Sequence, residues 1–139
     1  MTKITYDARL LKLMNLFEKI TKANLKDCFI DDNSLLTFIV KENEIGKAIG
    51  KNARNVKKLE RLLKRKIKIV EYSSNVTKFV KNLVSPLKPD EIVKENSIIK
   101  IKSRNTRTKG LLIGKNSKNL KNNIKITKKY FKIKDIKVI

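Results

Sequence analysis

The sequence predicts an α+β protein in which one small unit is used twice, and three observations lead to this prediction. First, the four glycines all fall in two similar segments, Gly46–Ala53 and Gly110–Ser117, which begin 64 positions apart. Second, the same order of predicted elements surrounds both segments: helix, strand, strand, helix, loop, helix and strand. Third, a chain of 139 residues with 40% hydrophobic residues is long enough for two small domains with modest cores.

Apolar spacing and turn formers define the elements of the first half. Hydrophobic residues at intervals of three and four predict an amphipathic first helix. The turn formers Asp31-Asp32-Asn33-Ser34 separate two segments rich in Phe, Ile, Val and Thr, which predicts a hairpin. The predicted elements are a helix over 7–22, strands over 26–31 and 35–41, a helix over 44–49, a helix with Val56, Leu59 and Leu63 on one face, and a strand over 67–72.

The second half repeats this order after the polar segment Ser73-Ser74-Asn75, whose side chains can cap a helix. Pro86 and Pro89 predict the end of that helix. The remaining predicted elements are strands over 91–94 and 97–102 with a turn at Glu95-Asn96, a short helix before the second loop, a helix with Leu120, Ile124, Thr127 and Phe131 on one face, and a strand containing Ile136 and Val138.

The charge balance indicates an anionic partner. Thirty-five Lys and Arg against 13 Asp and Glu give a formal net charge of +22, which is typical of nucleic-acid-binding proteins. A basic protein of the membrane surface is the alternative. The longest apolar stretch, Leu35–Val40, is far shorter than the roughly 20 residues that span a bilayer.

The start of the chain and its single cysteine predict a cytoplasmic protein. The first seven residues lack the apolar segment of a secretory signal, and Cys28 has no partner for an internal disulfide. Because Cys28 lies next to Phe29 and Ile30, we expect it to be a small buried hydrophobic residue.

Each glycine loop predicts a seat for phosphate. A glycine turn between two short helices exposes backbone N–H groups at the start of the second helix, where the helix dipole also favours negative charge. Lys51 and Arg54 follow the first turn, and Lys115 and Lys118 follow the second. Together these groups can bind a sugar-phosphate backbone.

A nucleotide-binding P-loop is the competing interpretation, and the spacing contradicts it. A P-loop has four residues between its glycines and a Ser or Thr after the lysine, whereas this chain has three residues there and Asn52 or Asn116 after the lysine. Histidine is absent, and no carboxylates cluster as they do in metal sites. We therefore expect no catalytic residue, metal or cofactor, and no enzyme activity.

The loop sequences resemble a known signature. Ile49–Val56 and Ile113–Leu120 are similar to the Ile-Gly-x-x-Gly-x-x-Ile signature of KH domains, which bind short runs of single-stranded nucleic acid. Two copies in a chain of this length resemble the archaeal-type NusA-like transcription factors. Both copies depart from the signature at its second glycine, which is Ala53 in the first and Ser117 in the second.

The resemblance implies two tandem type II KH domains, over 1–74 and 75–139, each a three-stranded sheet with helices packed on one face. The short connection between them predicts a rigid pair. It also implies a role in transcription elongation or termination. A ribosome-associated or RNA-processing KH protein is the alternative, because both share every feature of this sequence.

By the same resemblance, RNA is expected to run over both loops and along the helices after them. With aromatics at 6% and none in the loops, base stacking contributes little, so we expect strong salt dependence. The expected partners are single-stranded RNA and RNA polymerase or the transcription complex, with no membrane, and we expect a monomer. The predicted RNA-binding residues are Gly50, Lys51, Asn52, Ala53, Arg54, Lys57, Lys58, Gly114, Lys115, Asn116, Ser117, Lys118 and Lys121.

Overall fold

The structure is a computed structural model that describes residues 7–139. Residues 1–6, which the predicted first domain includes, lie outside the described residues. The chain groups into two units. The first unit runs up to Ile30 and resumes over Ser34–Tyr72, and the second unit consists of Asp31–Asn33 and Ser73–Ile139.

The first unit has the predicted order of elements. The helix α1 begins after Asp7, whose side chain accepts a hydrogen bond from the Leu10 backbone N–H at 2.8 Å, as an N-cap does. The elements are α1 (Ala8–Thr21), β1 (Leu25–Ile30), β2 (Leu36–Val40), α2 (Ile45–Ile49), α3 (Arg54–Leu63) and β3 (Ile67–Glu71). The hairpin and the helices on both sides of the loop are therefore confirmed.

The first unit forms a three-stranded sheet in the order β1-β2-β3, in which β2 pairs antiparallel with β1 and parallel with β3. Alternate residues of β2 point into one core, where Phe38 stacks on Phe17 of α1 with ring centroids 4.4 Å apart. Leu59 of α3 and Ala48 of α2 lie in the same core. Helices on both sides of the loop are thus anchored to one sheet, which fixes the loop between them.

The second unit repeats these elements. The helix α4 begins after Asn75, whose side chain accepts hydrogen bonds from the backbone N–H groups of Thr77 and Lys78. The elements are α4 (Val76–Val84), β4 (Glu91–Glu95), β5 (Ile98–Lys102), α5 (Thr106–Ile113), α6 (Lys118–Lys128) and β6 (Asp135–Val138). The predicted cap, hairpin and final strand are confirmed.

One boundary of the second unit differs from the prediction. Phe131 was expected on the same helix as Leu120, but α6 ends at Lys128. The Tyr130 backbone N–H bonds to the Thr127 carbonyl three residues back, so the last turn tightens and the helix stops. Phe131 then packs against Phe79, with ring centroids 5.4 Å apart.

The second sheet has the order β4-β5-β6, with β5 antiparallel to β4 and parallel to β6. Ile99 and Ile101 of β5 are buried with Val80 of α4, Leu112 of α5 and Ile136 of β6. The second loop is therefore held between α5 and α6 in the same way as the first loop between α2 and α3.

Cys28 is buried in the first core, as expected, with 1% of its surface exposed. Burial, with a smaller contribution from Asp27, raises the pKa of Cys28 to about 12. The folded protein thus keeps the thiol neutral. The preference of the folded state for the protonated thiol adds to the free energy of unfolding, and this addition is fully present below the pKa of roughly 8.5 that Cys28 has in the unfolded chain.

We predict that iodoacetamide at pH 8 does not alkylate Cys28 in the folded protein and alkylates it fully in denaturant, as mass spectrometry can measure. Above about pH 9 the unfolded thiol ionises and the folded one does not, so the free energy of unfolding falls. A Cys28→Ala variant should show a smaller fall over the same pH range. Rapid alkylation of the native protein would contradict the burial of Cys28.

Candidate nucleic-acid interface

The two glycine loops have the same backbone conformation. Gly50 has φ 77° and ψ 167°, and Gly114 has φ 75° and ψ 170°. Each glycine is followed by a short 3₁₀ turn, Lys51–Ala53 or Lys115–Ser117, which leads into the next helix. The repeated sequence therefore specifies a repeated local structure.

Only glycine fits at the start of each loop. The backbone angles of Gly50 and Gly114 lie in a region that is essentially restricted to glycine. A Cβ atom built on Gly114 would lie 2.7 Å from the side-chain amide of Asn119, and one on Gly50 would lie 3.0 Å from that of Asn55. Gly46 and Gly110, in contrast, have space for a Cβ: apart from their chain neighbours and the backbone of their own helix, no heavy atom lies within 4 Å of one.

Asn55 and Asn119 hold the loops closed. The Asn55 Nδ2 donates a hydrogen bond to the Lys47 carbonyl at 3.1 Å, and the Asn119 Nδ2 donates to the Leu111 carbonyl at 2.9 Å. Each bond joins the helix after a loop to the helix before it. Each asparagine lies five residues after the loop glycine, Gly50 or Gly114, and the shared hydrogen bond accounts for asparagine at this position in both loops.

Four non-glycine residues in the loops have left-handed backbone. Asn52 and Ala53 have φ of 55° and 57°, and Asn116 and Ser117 have φ of 56° and 61°. Asparagine tolerates this conformation, whereas alanine does so at a cost of about 1–2 kcal/mol. Ala53 and Ser117 occupy the positions where the KH signature has its second glycine.

We therefore predict that Ala53→Gly stabilises the first unit by about 0.5–1 kcal/mol, because relief of the left-handed strain exceeds the entropy that glycine adds to the unfolded chain. Chemical denaturation measures the change. Ala48→Gly is the matched control, since Ala48 is buried in α2 and its loss of a methyl group should destabilise the protein. Equal destabilisation by both changes would contradict the strain at Ala53.

A cationic surface begins at the first loop and continues along α3. Its cations and Asn52 are exposed, and together they line a cleft of about 510 Å³. We call this set the first loop surface; it consists of Lys51, Asn52, Arg54, Lys57, Lys58 and Arg61. This cleft thus brings together five of the seven predicted site residues of the first unit, all but Gly50 and Ala53, and adds Arg61.

The second loop presents a smaller set. We call it the second loop surface, and its exposed residues are Lys115, Asn116, Lys118 and Lys121. Gly114 and Ser117 are half-buried beneath them, as Gly50 and Ala53 are in the first loop. The predicted residues of each loop are therefore contiguous within their own unit.

Some of the backbone donors expected at the loops are already used. The N–H of Ala53 bonds to the Gly50 carbonyl at 3.1 Å, and the N–H of Ser117 bonds to the Gly114 carbonyl at 3.2 Å. The N–H groups of Arg54 and Lys118 close the 3₁₀ turns. Because of these internal bonds, these four N–H groups are not free to bind a ligand, which differs from the expected seat of exposed backbone donors.

The described residues contain neither a metal-binding cluster nor a membrane-spanning helix. Over residues 7–139, no group of three or more His, Cys, Asp or Glu side chains is placed to bind a metal ion. None of the helices in that same range combines the length and apolarity needed to cross a bilayer.

The chain matches a known family. The KH domain family matches residues 14–105. The chain is also similar to the probable transcription termination protein NusA of Methanocaldococcus jannaschii, with 34% identity over all of this chain and 77% of that protein. It is 35% identical to the protein of that name from Methanococcus vannielii, over 91% of this chain and 74% of the relative.

A solved structure has the same fold. The crystal structure of APE1850 superposes with a TM-score of 0.72 at 32% sequence identity, and the match covers 96% of this chain and all of that one. The similarity thus extends over both units of the chain rather than over one loop motif.

Proposed function

The chain belongs to the KH domain family and to its NusA-like proteins, and on that premise we propose that it binds single-stranded RNA through its two glycine loops. The residues proposed to contact RNA are those of the first and second loop surfaces, with Gly50, Ala53, Gly114 and Ser117 bringing the backbone close to the strand. The protein acts by binding, without catalysis.

One observation carries this proposal: two loops of the same backbone conformation each present exposed cations to solvent. A loop that serves only as a turn does not require cations at neighbouring positions, yet Lys51, Arg54 and Lys57 line one cleft. Positive charge so concentrated next to a glycine turn suits a sugar-phosphate backbone.

We further propose that 1–74 and 75–139 are two KH domains of type II. The elements over 8–71 and over 76–138 each support this by their order, their three-stranded sheet and the loop between two helices. Only four residues separate β3 from α4, so we propose that the domains tumble as a rigid pair. Rotational correlation times from ¹⁵N relaxation should be equal for both halves, and clearly different times would contradict the rigid pair.

The cellular role we propose is in transcription elongation or termination, which the names of the relatives support. Co-purification of the tagged chain should then recover RNA polymerase subunits. Recovery of ribosomal particles instead would favour the alternative, a ribosome-associated or RNA-processing protein.

Binding of a labelled single-stranded RNA across a salt series tests the proposal. Each phosphate contact contributes about 0.7 to the slope of log K against log salt, so contacts by at least five cations predict a slope steeper than about −3. The RNA should be recovered intact after incubation with Mg²⁺. A shallow slope, or a cleaved strand, would overturn the proposal.

A further inference from the structure

The helices α3 and α6, which follow the two loops, differ in charge at equivalent positions. Lys58 and Arg61 are exposed cations on α3. The residues 64 positions later on α6 are Asn122, which is 6% exposed, and Lys125. The cationic surface that starts at each loop therefore continues along α3, whereas on α6 an uncharged buried residue interrupts it.

The segment Asp31–Asn33, which belongs to the second unit, accounts for this difference. Asn122 accepts a hydrogen bond from the Asp32 backbone N–H and donates one to the Asp31 carboxylate, each at 3.1 Å. The Lys125 Nζ lies 3.0 Å from the Asp32 carboxylate. The carboxylates of Asp31 and Asp32 thus lie against α6. The Asp32 carboxylate pairs with Lys125, which has the position on α6 that Arg61 has on α3.

The same segment also reaches the second loop. The Asn33 Nδ2 donates a hydrogen bond to the Asn119 Oδ1 at 3.2 Å, while the Asn119 Nδ2 holds the Leu111 carbonyl. The acidic segment is therefore bonded to the residue that closes the second loop.

Among the described residues of the first unit, no acidic segment pairs with the first loop surface as Asp31–Asn33 pairs with α6. Within 7–139, none of the cations of the first loop surface forms an ion pair with a carboxylate. Glu60, the acidic residue of α3, accepts a hydrogen bond from the Ile67 backbone N–H at 3.1 Å, which directs its carboxylate toward the start of β3. The five cations of the first loop surface are thus available to phosphate.

We infer that the two loops bind RNA unequally: the first loop surface contributes most of the backbone affinity, and Asp31 and Asp32 limit phosphate contact along α6. An exposed ion pair is weak by itself. The lower RNA affinity along α6 therefore comes mainly from the negative charge of these carboxylates, which lies within a Debye length of the RNA strand. This inference rests on the proposed function, because it concerns the strength of binding at each of the proposed sites.

Substitutions at equivalent positions test the inequality. Arg61→Ala should weaken binding of a single-stranded RNA about 3–5-fold near 0.1 M salt and reduce the salt slope by about 0.7, as loss of one phosphate contact does. Lys125→Ala should weaken it less than about 2-fold, because Lys125 lies outside the second loop surface and its ammonium group is held by Asp32, so no phosphate contact is lost. Equal losses from the two variants would overturn the inference.

Removal of the Asp32 charge should have the opposite effect on RNA affinity. Asp32→Asn should strengthen RNA binding about 2–5-fold, since it frees Lys125 and removes one repulsive charge. Glu95→Gln is the matched control, because it removes a carboxylate from an exposed ion pair with Lys100 at the β4–β5 hairpin of the same unit. An Asp32→Asn affinity no higher than that of Glu95→Gln would also overturn the inference.

A charge-reversed variant of both loops, titrated alongside, separates this inference from the proposed function. It carries Lys51→Asp, Asn52→Asp, Lys115→Asp and Asn116→Asp. If it loses binding while Arg61→Ala and Lys125→Ala behave alike, the function stands and the inequality fails. If it binds as the native chain does, the proposed function itself fails. Thermal unfolding of each variant confirms that the comparison is between folded proteins.

Discussion

We expect Gly114→Ala to destabilise the second unit by about 2–4 kcal/mol and to lower RNA affinity at the second loop. The cost has two sources: the glycine-only backbone angles at this position, and the approach of the new Cβ to the Asn119 side chain at 2.7 Å and to its backbone nitrogen at 2.9 Å. Relief of that contact requires the Asn119 amide to leave the Leu111 carbonyl, which opens the loop. Chemical denaturation and RNA titration measure the two effects.

Gly110→Ala is the matched control for this substitution. Gly110 lies within α5, and its built Cβ would meet no heavy atom within 4 Å outside its own helix backbone and chain neighbours, so alanine should raise stability by about 0.5–1 kcal/mol. The first unit offers the same pair in Gly50→Ala and Gly46→Ala. If alanine proves equally harmless at Gly114 and Gly110, then the backbone strain and the closing role of Asn119 are both incorrect.

The charge-reversed variant of both loops should lose at least about 100-fold in affinity for single-stranded RNA near 0.1 M salt. It removes Lys51 and Lys115 and places four carboxylates where phosphate is proposed to lie. All four positions are exposed and make no core contacts, so the protein should stay folded. Fluorescence anisotropy of a labelled RNA measures the loss.

A second variant controls for total charge. Lys12→Asp, Lys88→Asp and Lys94→Asp remove the same amount of positive charge from exposed positions outside both loops. We expect this variant to lose far less affinity than the loop variant. Equal losses would mean that the net charge of +22 acts diffusely and that the loops serve only as turns.

Much of the local structure could be predicted from the sequence, because it depends on neighbouring residues. The apolar spacing of α1, the turn formers after β1 and the capping residue Asn75 each act over a few positions. The glycine loops are also local, since Gly50 and Gly114 adopt angles that other residues avoid.

The features that the sequence did not predict depend on how the elements pack, which no short sequence pattern reports. The hydrogen bonds that join Asp31 and Asp32 to Asn122 link positions about 90 residues apart, and a turn former gives no sign of such a partner. The left-handed angles of Ala53 and Ser117 are imposed by the helices on both sides of the loop, against the preference of the residues themselves. In the sequence, nothing distinguishes Arg61 from the other charged residues of a solvated helix. In the structure, it lines the same cleft as Lys58.

The most direct test of the central claim is an NMR titration of the ¹⁵N-labelled chain with a short single-stranded RNA. We predict that the largest amide shift changes occur at residues 50–54 and 114–118, followed by those at Lys57, Lys58 and Arg61. Shift changes spread over the lysines of α1 and the strands, with both loops unaffected, would contradict binding at the loops and would leave the positive charge as a general attraction for nucleic acid.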